Sequence, residues 1–200
     1  MPLVTIEGLD GAGKTTLAAG LAQVLPQAVL LREPGGVAAS ERIRELVKDP
    51  GLAIGARAEA LLYAAARAQL VEERLRPELE RGALVLLDRF VDSSLAYQGA
   101  GRELGIAAVA AVNAFATGGL TPDLTLLLRI DPAAGRARAA GRGEAPDRLE
   151  READAFFSQI ARCYDELAAA EPTRVRVLDA SRPPDELLGA ALTEIADLLR

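Results

Sequence analysis

The stretch G-L-D-G-A-G-K-T at residues 8–15 constrains the fold of this chain more than any other part of the sequence. It has the spacing G-x-x-x-x-G-K-S/T and follows an apolar run at residues 3–6, so a strand can lead through it into a helix that begins near Lys14. Glycines permit backbone angles that other residues avoid, and successive N–H groups can then surround an anion at the positive end of that helix. A glycine-rich turn that only caps a helix has similar composition, but the spacing and the context together favour a phosphate site.

Composition limits the classes of protein to which the chain can belong. Its 200 residues predict one domain over residues 1–200, and the net charge of −6 with a pI near 4.9 argues against binding of a nucleic-acid polymer. The single cysteine, Cys163, excludes an internal disulfide, and the lack of histidine removes the usual zinc ligands and histidine acid–base chemistry. No apolar run reaches the roughly 18 residues of a membrane span, and no targeting segment is evident, so we expect a cytoplasmic protein that binds no membrane.

Apolar runs and helical segments alternate along the chain, with no two strands in succession. We predict strands at residues 3–7, 28–31, 83–87, 124–130 and 174–178. Helices are expected at residues 16–25, 40–48 with Ser40 as N-cap, 57–81 with an interruption near Pro77, 106–117, 151–170 and 185–199. This order predicts an α/β protein of the P-loop NTPase fold, with a parallel five-stranded sheet flanked by helices. Ligands of such sheets bind beyond the carboxyl ends of the strands.

Two residues at the end of the third predicted strand are candidates for the reaction centre. Asp88 follows five apolar residues, where a phosphate-loop protein keeps the carboxylate that orients Mg²⁺ or its water. Lys14 would reach the β- and γ-phosphates, and the Thr15 hydroxyl would contact Mg²⁺. Arg89 suits bidentate recognition of a phosphate. The alternative for Asp88 is a helix N-cap or a partner for Arg89.

A segment rich in arginine and glycine, about residues 136–150, predicts a mobile lid. Arg136, Arg138, Arg142 and Arg148 surround two glycines there. Phosphoryl transfer needs cations that offset the charge of two anionic reactants, and a closing lid can supply them while it expels water. Each of these arginines taken singly could equally be a solvated surface charge.

Aromatic and polar residues on two helical stretches could recognise a nucleobase. Tyr63 and Arg67 are spaced i, i+4 and share one helix face, and Tyr97 and Gln98 lie beyond Arg89. Such a set can stack on a base and hydrogen-bond to its edge. A tyrosine at helical spacing is also commonly a core residue, and this alternative stays open for Tyr63.

The motifs together resemble the thymidylate kinase family, which phosphorylates dTMP to dTDP with ATP and Mg²⁺. The resemblance covers nearly all of the chain. It rests on the phosphate loop and on R-E-P-G-G at 32–36, L-L-Y-A-A-A-R-A-Q at 61–69, D-R-F-V-D-S-S-L-A-Y-Q-G at 88–99, P-D-L-T at 122–125 and D-R-L-E at 147–150. The phosphate loop alone is shared by many NTPases, whereas R-E-P-G-G at 32–36 together with the motif at 88–99 occurs in a far narrower set of proteins.

The resemblance implies a role for each matching residue. ATP would be held by Gly8, Leu9, Asp10, Gly11, Ala12, Gly13, Lys14, Thr15, Thr16 and Arg138, with adenine near residues 180–182. For dTMP, the resemblance implies that Asp10 binds the sugar 3′-hydroxyl, that Tyr97 lies under the sugar and that Glu33 lies near the acceptor site. Arg44 and Arg89 would bind the phosphate. Tyr63 would stack on thymine, and the edge of the base would be bound by Arg67, Ser94 and Gln98. Some members carry an arginine in the phosphate loop where this chain has Gly11, so the catalytic arginines would be Arg142 and Arg148 of the lid. The family also implies a homodimer formed through helices.

Other functions are compatible with the phosphate loop. Another small-molecule kinase of this fold could act on a different nucleotide or on dephospho-coenzyme A, although Arg67, Ser94, Tyr97 and Gln98 suit an oxo-pyrimidine on a deoxy sugar better. A nucleotide-dependent switch would leave the arginines of the lid unexplained, and a guanine-specific N-K-x-D signature is absent. A dinucleotide-binding domain requires G-x-G-x-x-G, which the loop does not match.

Overall fold

A single parallel sheet positions the site. The computed structural model describes residues 2–141, 143 and 145–200. Its strands are β1 (Leu3–Gly8), β2 (Val29–Arg32), β3 (Val85–Asp88), β4 (Leu124–Arg129) and β5 (Val175–Asp179). They lie in the order β2-β3-β1-β4-β5, and all four pairings are parallel. The predicted five-stranded parallel sheet is therefore confirmed.

Helices connect the strands and pack on both faces of the sheet. They are α1 (Lys14–Val24), α2 (Ala38–Lys48), α3 (Ala56–Leu70), α4 (Arg76–Glu80), α5 (Val91–Ser94), α6 (Ile106–Thr117), α7 (Pro132–Ala140), α8 (Asp154–Ala170) and α9 (Pro184–Leu198). Successive side chains of β1 alternate between two cores: Leu3 joins the core under the turn that follows α3, and Val4 joins the larger core against α1, α8 and α9. Both faces of the sheet are thus covered, as the apolar strands require.

Two π-helical stretches extend α-helices of the chain. Val71–Leu75 continues α3 into α4, and Leu95–Gly101 continues α5. The interruption predicted near Pro77 is the first of these stretches, which ends at Leu75 and replaces α-helical geometry without breaking the helix. Pro77 lacks the N–H that a regular α-helix would bond to the carbonyl four residues earlier. Ser40 is not the N-cap that was predicted. Val37 occupies that position in α2, and the buried Ser40 hydroxyl donates to the carbonyl of Ala66 at 2.7 Å.

The register of β1 and β3 brings the phosphate loop next to the end of β3. Ile6 pairs with Asp88, so the chain leaves β1 two residues later beside Asp88 and Arg89. Among the described residues, no helix is both long and apolar enough to cross a membrane. The cytoplasmic location stays a prediction.

Candidate active site

The phosphate loop has the backbone that its glycines predict. Gly8, Gly11 and Gly13 have φ values of 137°, 80° and 93°, a region that residues with a side chain rarely occupy. Gly13 is the left-handed N-cap of α1, and no side chain caps that end of the helix. The free N–H groups of the first turn of α1 therefore face the outlet of β1, where they can bind an anion.

Helix α7 closes against this loop. A Cβ atom on Gly11 would lie 2.0 Å from the carbonyl oxygen of Gly135, and one on Gly135 would lie 2.9 Å from the carbonyl oxygen of Asp10. Neither position can carry a side chain unless the backbone moves. An arginine at residue 11, such as the family resemblance implies for some members, has no room here.

Lys14 is held inside the loop. Its Nζ donates to the carbonyl of Leu9 at 2.8 Å and lies 3.9 Å from Oδ1 of Asp10. Burial, with a contribution from the charge of Arg89, lowers the pKa of Lys14 to about 8. An anionic phosphate at this point would restore the stability of the charged ammonium. The predicted ATP-binding residues Leu9 and Ala12 are buried in the larger core, and Thr16 lines the cavity described below.

Asp88 and Thr15, the two residues predicted to hold magnesium, are in contact. The Thr15 hydroxyl donates to Oδ2 of Asp88 at 3.1 Å. The other oxygen of Asp88, Oδ1, is buried and has no hydrogen-bond partner in the part of the chain that the structure describes. No group of three or more acidic or sulfur ligands gathers among those residues to hold a metal ion by itself. A hydroxyl and a carboxylate next to a phosphate loop fit a hard cation that takes its other ligands from phosphate and water.

Arg89 has an uncommon backbone conformation, with a φ of 68°. Such strain persists in non-glycine residues only where the surroundings enforce it. The Arg89 guanidinium donates to Oδ1 of Asp10 at 2.5 Å and to Ser93, and it lies over the ring of Tyr97. Burial acts to raise the pKa of Asp10, but the charges of Arg89 and Lys14 outweigh it and hold that pKa below its usual range.

Tyr97 completes this group. Its hydroxyl donates to Oδ2 of Asp10 at 3.0 Å, and burial raises its pKa far above the ordinary value. Asp10, Arg89 and Tyr97, which the sequence predicted for the sugar and phosphate, therefore form one connected cluster beside the phosphate loop.

The buried pair of Arg67 and Glu33 forms another wall of the site. Arg67 is 2% exposed, and it donates to Glu33 Oε2, Ser94 Oγ, Asn113 Oδ1 and the carbonyl of Phe90. These contacts engage all three guanidinium nitrogens, so a direct contact from Arg67 to a base would compete with them. Burial raises the pKa of Glu33 to about 7 against the attraction of Arg67, and its Oε1 has no partner among the described residues.

One cavity of about 550 Å³ joins these groups, a size typical of small-molecule sites. It is lined by Asp10, Lys14, Thr15, Asp88 and Arg89 on the phosphate side and by Glu33, Arg44, Tyr63, Arg67, Ser94, Tyr97 and Gln98 on the other. Arg44 Nη1 donates to the carbonyl of Pro34 at 3.0 Å. Tyr63 packs against the larger core and also lines the cavity, so its place in the structure is compatible with both alternatives that the sequence left open.

The predicted lid residues are only partly gathered at this cavity. Residues 136–140 belong to α7, and Arg138 lines the cavity while it donates to the carbonyl of Ala180 at 2.8 Å. Arg148 instead pairs with Glu59 at 2.7 Å and donates from Nε to the carbonyl of Val47. Its Nη2 is buried without a partner among the described residues. Arg142 lies outside the described residues.

Two buried carboxylates at the site were not found by the sequence reasoning. Glu7 accepts hydrogen bonds from the backbone N–H groups of Phe90 and Ser93 and from the hydroxyls of Ser93 and Tyr164. It thereby fixes the chain just after Arg89. Burial, with the charge of Asp92, raises the pKa of Glu7. Glu59 on α3 is the second of these carboxylates. In both cases, the one sequence signal for a buried carboxylate was an acidic residue within an apolar strand or on an apolar helix face.

Comparison with known proteins agrees with this geometry. The thymidylate kinase family model matches residues 6–190. The chain belongs to the thymidylate kinase family. It is 52% identical over 198 residues to the thymidylate kinase of Deinococcus radiodurans, covering 96% of each chain, and 48% identical to that of Lactobacillus delbrueckii subsp. bulgaricus, covering 94% of this chain and 92% of the relative.

A solved structure supports the fold. The crystal structure of thymidylate kinase from Ehrlichia chaffeensis superposes with a TM-score of 0.81 over 98% of both chains, at 24% sequence identity. The predicted family and the predicted fold are therefore confirmed. The roles of the individual site residues stay predictions.

Proposed function

We propose that this chain transfers the γ-phosphoryl group of ATP to dTMP, which yields dTDP and ADP and serves dTTP biosynthesis. The observation that carries the proposal is the single cavity lined by the phosphate loop on one side and by Tyr63, Ser94 and Gln98 on the other. A kinase needs both substrates together in one space from which water can be excluded, and a cavity lined by both sets of residues supports the proposal.

ATP would bind with its phosphates against the N–H groups of residues 8–16. The Lys14 ammonium lies at the centre of that loop and would contact the β- and γ-phosphates. Arg138 is anchored to the carbonyl of Ala180 in the loop after β5, where the adenine would lie. Its flat guanidinium can pack against a purine ring at that place.

The acceptor dTMP would occupy the opposite side of the cavity. Arg44 and Arg89 would bind its phosphate, and the ring of Tyr63 would stack on the base. Ser94 and Gln98 would hydrogen-bond to the base edge. Asp10 and Tyr97 would contact the deoxyribose, and the hydrogen bond between them, beside the phosphate loop, supports a shared role.

The transfer itself requires cations more than acid–base groups. An oxygen of the dTMP phosphate is already ionised at neutral pH, so it can attack the γ-phosphorus while the bond to ADP breaks and the charge stays on ADP. Lys14 and Arg89 would offset charge on the two reactants, and Arg142 and Arg148 would add to them when the lid at about residues 136–150 closes. This accounts for a phosphotransferase without histidine.

Mg²⁺ is part of this proposal. Thr15 and Asp88 would hold it, in part through water, and the unpartnered Oδ1 of Asp88 supports that assignment. Bound there, the ion would neutralise phosphate charge and orient the β- and γ-oxygens.

An acceptor panel tests the proposal. ADP release is measured with Mg-ATP and dTMP, dUMP, UMP, CMP, AMP, GMP or dephospho-coenzyme A, and with no acceptor as control. Strong turnover with dTMP and weak turnover with UMP is the expected result. Preference for a purine nucleotide or the coenzyme precursor would reject the base site, and ADP release that ignores every acceptor would indicate a nucleotide-dependent switch.

A homodimer is also part of the proposal. The outward face of α6 is apolar, with Phe115 92% exposed, and the neighbouring α3 exposes 58% of Leu61. Large exposed apolar residues on adjacent helices are typical of an interface. Sedimentation should give the mass of a dimer for the natural chain, and Phe115→Asp should shift it toward the monomer. A monomeric natural chain at micromolar concentration would refute the dimer.

A further inference from the structure

Glu59 connects parts of the site that are far apart in sequence. It lies on α3 and is fully buried. Its carboxylate accepts hydrogen bonds from Nε2 of Gln98 at 2.9 Å and from Nε and Nη2 of Arg102, and it forms an ion pair with Nη1 of Arg148 at 2.7 Å. One buried acidic side chain thus contacts the helix that carries Gln98 and the segment that carries Arg148.

The arginines determine what Glu59 can do toward Gln98. The guanidinium groups of Arg102 and Arg148 can only donate, and together they engage both oxygens of the Glu59 carboxylate. Glu59 therefore acts as an acceptor. Gln98 must therefore turn its NH₂ group toward Glu59, and the orientation of its amide follows from the partner.

The remaining atom of the Gln98 amide is an acceptor. Gln98 lines the cavity, and among the described residues no donor reaches its Oε1. Ser94, one helical turn earlier, also lines the cavity, and its Oγ already accepts from Arg67 at 2.9 Å, which leaves its own proton free to donate. The wall therefore presents an acceptor from Gln98 and a donor from Ser94.

This pattern is complementary to one class of pyrimidine. Thymine and uracil have a donor at N3–H and an acceptor at O4, whereas cytosine has an acceptor at N3 and a donor at its amino group. The Ser94 hydroxyl could rotate to suit either base, but the Gln98 amide could reverse only if it broke its bond to Glu59. With cytosine, the Gln98 oxygen and N3 of the base would both be acceptors, and neither would have a hydrogen-bond donor. A polar site rejects an analogue when buried polar groups are left unpaired in this way.

We propose that Glu59 is a specificity-positioning residue, which fixes the Gln98 amide so that its oxygen accepts N3–H of an oxo-pyrimidine and excludes cytosine. This inference rests on the proposed function, because it assumes that the acceptor base lies against Gln98. Glu59 touches no substrate and acts through Gln98.

Glu59→Gln tests the proposal, because an amide at residue 59 can donate as well as accept and so frees Gln98 to reverse. The assay compares kcat/KM for dTMP and dCMP, together with Ki of dCMP against dTMP turnover. We expect the preference for dTMP over dCMP to fall about tenfold or more, through a higher KM for dTMP and a lower Ki for dCMP. Glu152→Gln is the matched control. Glu152 accepts a hydrogen bond from the same Arg102 at 2.6 Å but forms none with Gln98. The preference of the Glu152→Gln variant for dTMP over dCMP should therefore stay unchanged.

A second background separates positioning from general damage. In Gln98→Ala, the change Glu59→Gln should no longer alter the preference between the two bases. Equal losses for dTMP and dCMP, or a loss of preference that persists in Gln98→Ala, would overturn the proposal. If Glu59→Gln does not fold by circular dichroism, Glu59→Asp keeps the charge and withdraws the carboxylate from Gln98. Its preference should fall, and an unchanged preference would overturn the proposal. Turnover of dTMP by the natural chain tests the proposed function separately.

Discussion

The lowered pKa of Lys14 predicts that ATP binds with uptake of a proton. The Lys14 ammonium is buried beside Arg89, which brings its pKa from the ordinary 10.5 to about 8. A bound triphosphate supplies negative charge next to Nζ and raises that pKa again. Above pH 8 the free protein must therefore take up a proton in order to bind ATP, and the apparent affinity must fall as the pH rises.

The magnitude follows from the pKa. With a value of about 8 in the free protein, Lys14 is about 90% charged at pH 7 and about 10% charged at pH 9. The affinity for Mg-ATP should then fall about tenfold between these pH values. At pH 8, binding should take up about half a proton per nucleotide. The neighbouring Tyr63 and Tyr97 do not titrate in this range, because burial raises the pKa of each well above 10.

Isothermal titration of Mg-ATP without acceptor measures both quantities. Titrations at pH 8 in two buffers of different ionisation enthalpy give the number of protons taken up, and titrations from pH 7 to 9 give the affinity. Lys14→Arg is the control, because a guanidinium stays charged throughout. Any change of its affinity with pH then comes from other groups, such as Glu33 with its pKa of about 7, and should be clearly smaller than that of the natural chain. No proton uptake at pH 8, or the same pH dependence in Lys14→Arg, would refute the reasoning.

Three other substitutions test the site residues. Asp88→Asn should raise the Mg²⁺ concentration that gives half-maximal kcat about tenfold or more, because it removes a charge proposed to position the ion. An unchanged Mg²⁺ requirement would mean that Asp88 serves only as the hydrogen-bond partner of Thr15. Tyr97→Ala should improve kcat/KM for the ribonucleotide relative to dTMP, whereas equal losses for both would remove its role at the sugar. Arg148→Ala should lower kcat about a hundredfold with little change in ATP affinity, and an unchanged kcat would mean that Arg148 serves only to pair with Glu59.

The sequence predicted those elements that have a strong local signal. The strand bounds agree within one residue except for the start of β3, which lies two residues later than predicted. Burial on both faces leaves a continuous apolar run in the sequence of β1, β3 and β4. The segments Val91–Gly101 and Pro132–Ala140 were not predicted as helices. The first contains β-branched, serine and glycine residues and is π-helical over Leu95–Gly101, and the second has arginines and a glycine, which we had assigned to a lid.

The site was predictable where it depends on one local motif and not where it depends on distant pairing. The spacing around Lys14 predicts the loop, and the end of an apolar strand predicts Asp88. The four partners of Arg67 could not be inferred, since they come from three separate segments that meet only in the folded chain. Glu59 is a similar case, because its contact with Gln98 spans 39 residues.

Transfer of labelled phosphate tests the central claim most directly. The protein is incubated with Mg-ATP labelled at the γ-phosphate and with dTMP, and the products are separated by chromatography. We expect the label in dTDP, in amounts equal to the ADP formed, and its loss in Lys14→Met that still folds. Label released as inorganic phosphate at a rate independent of dTMP would contradict the account.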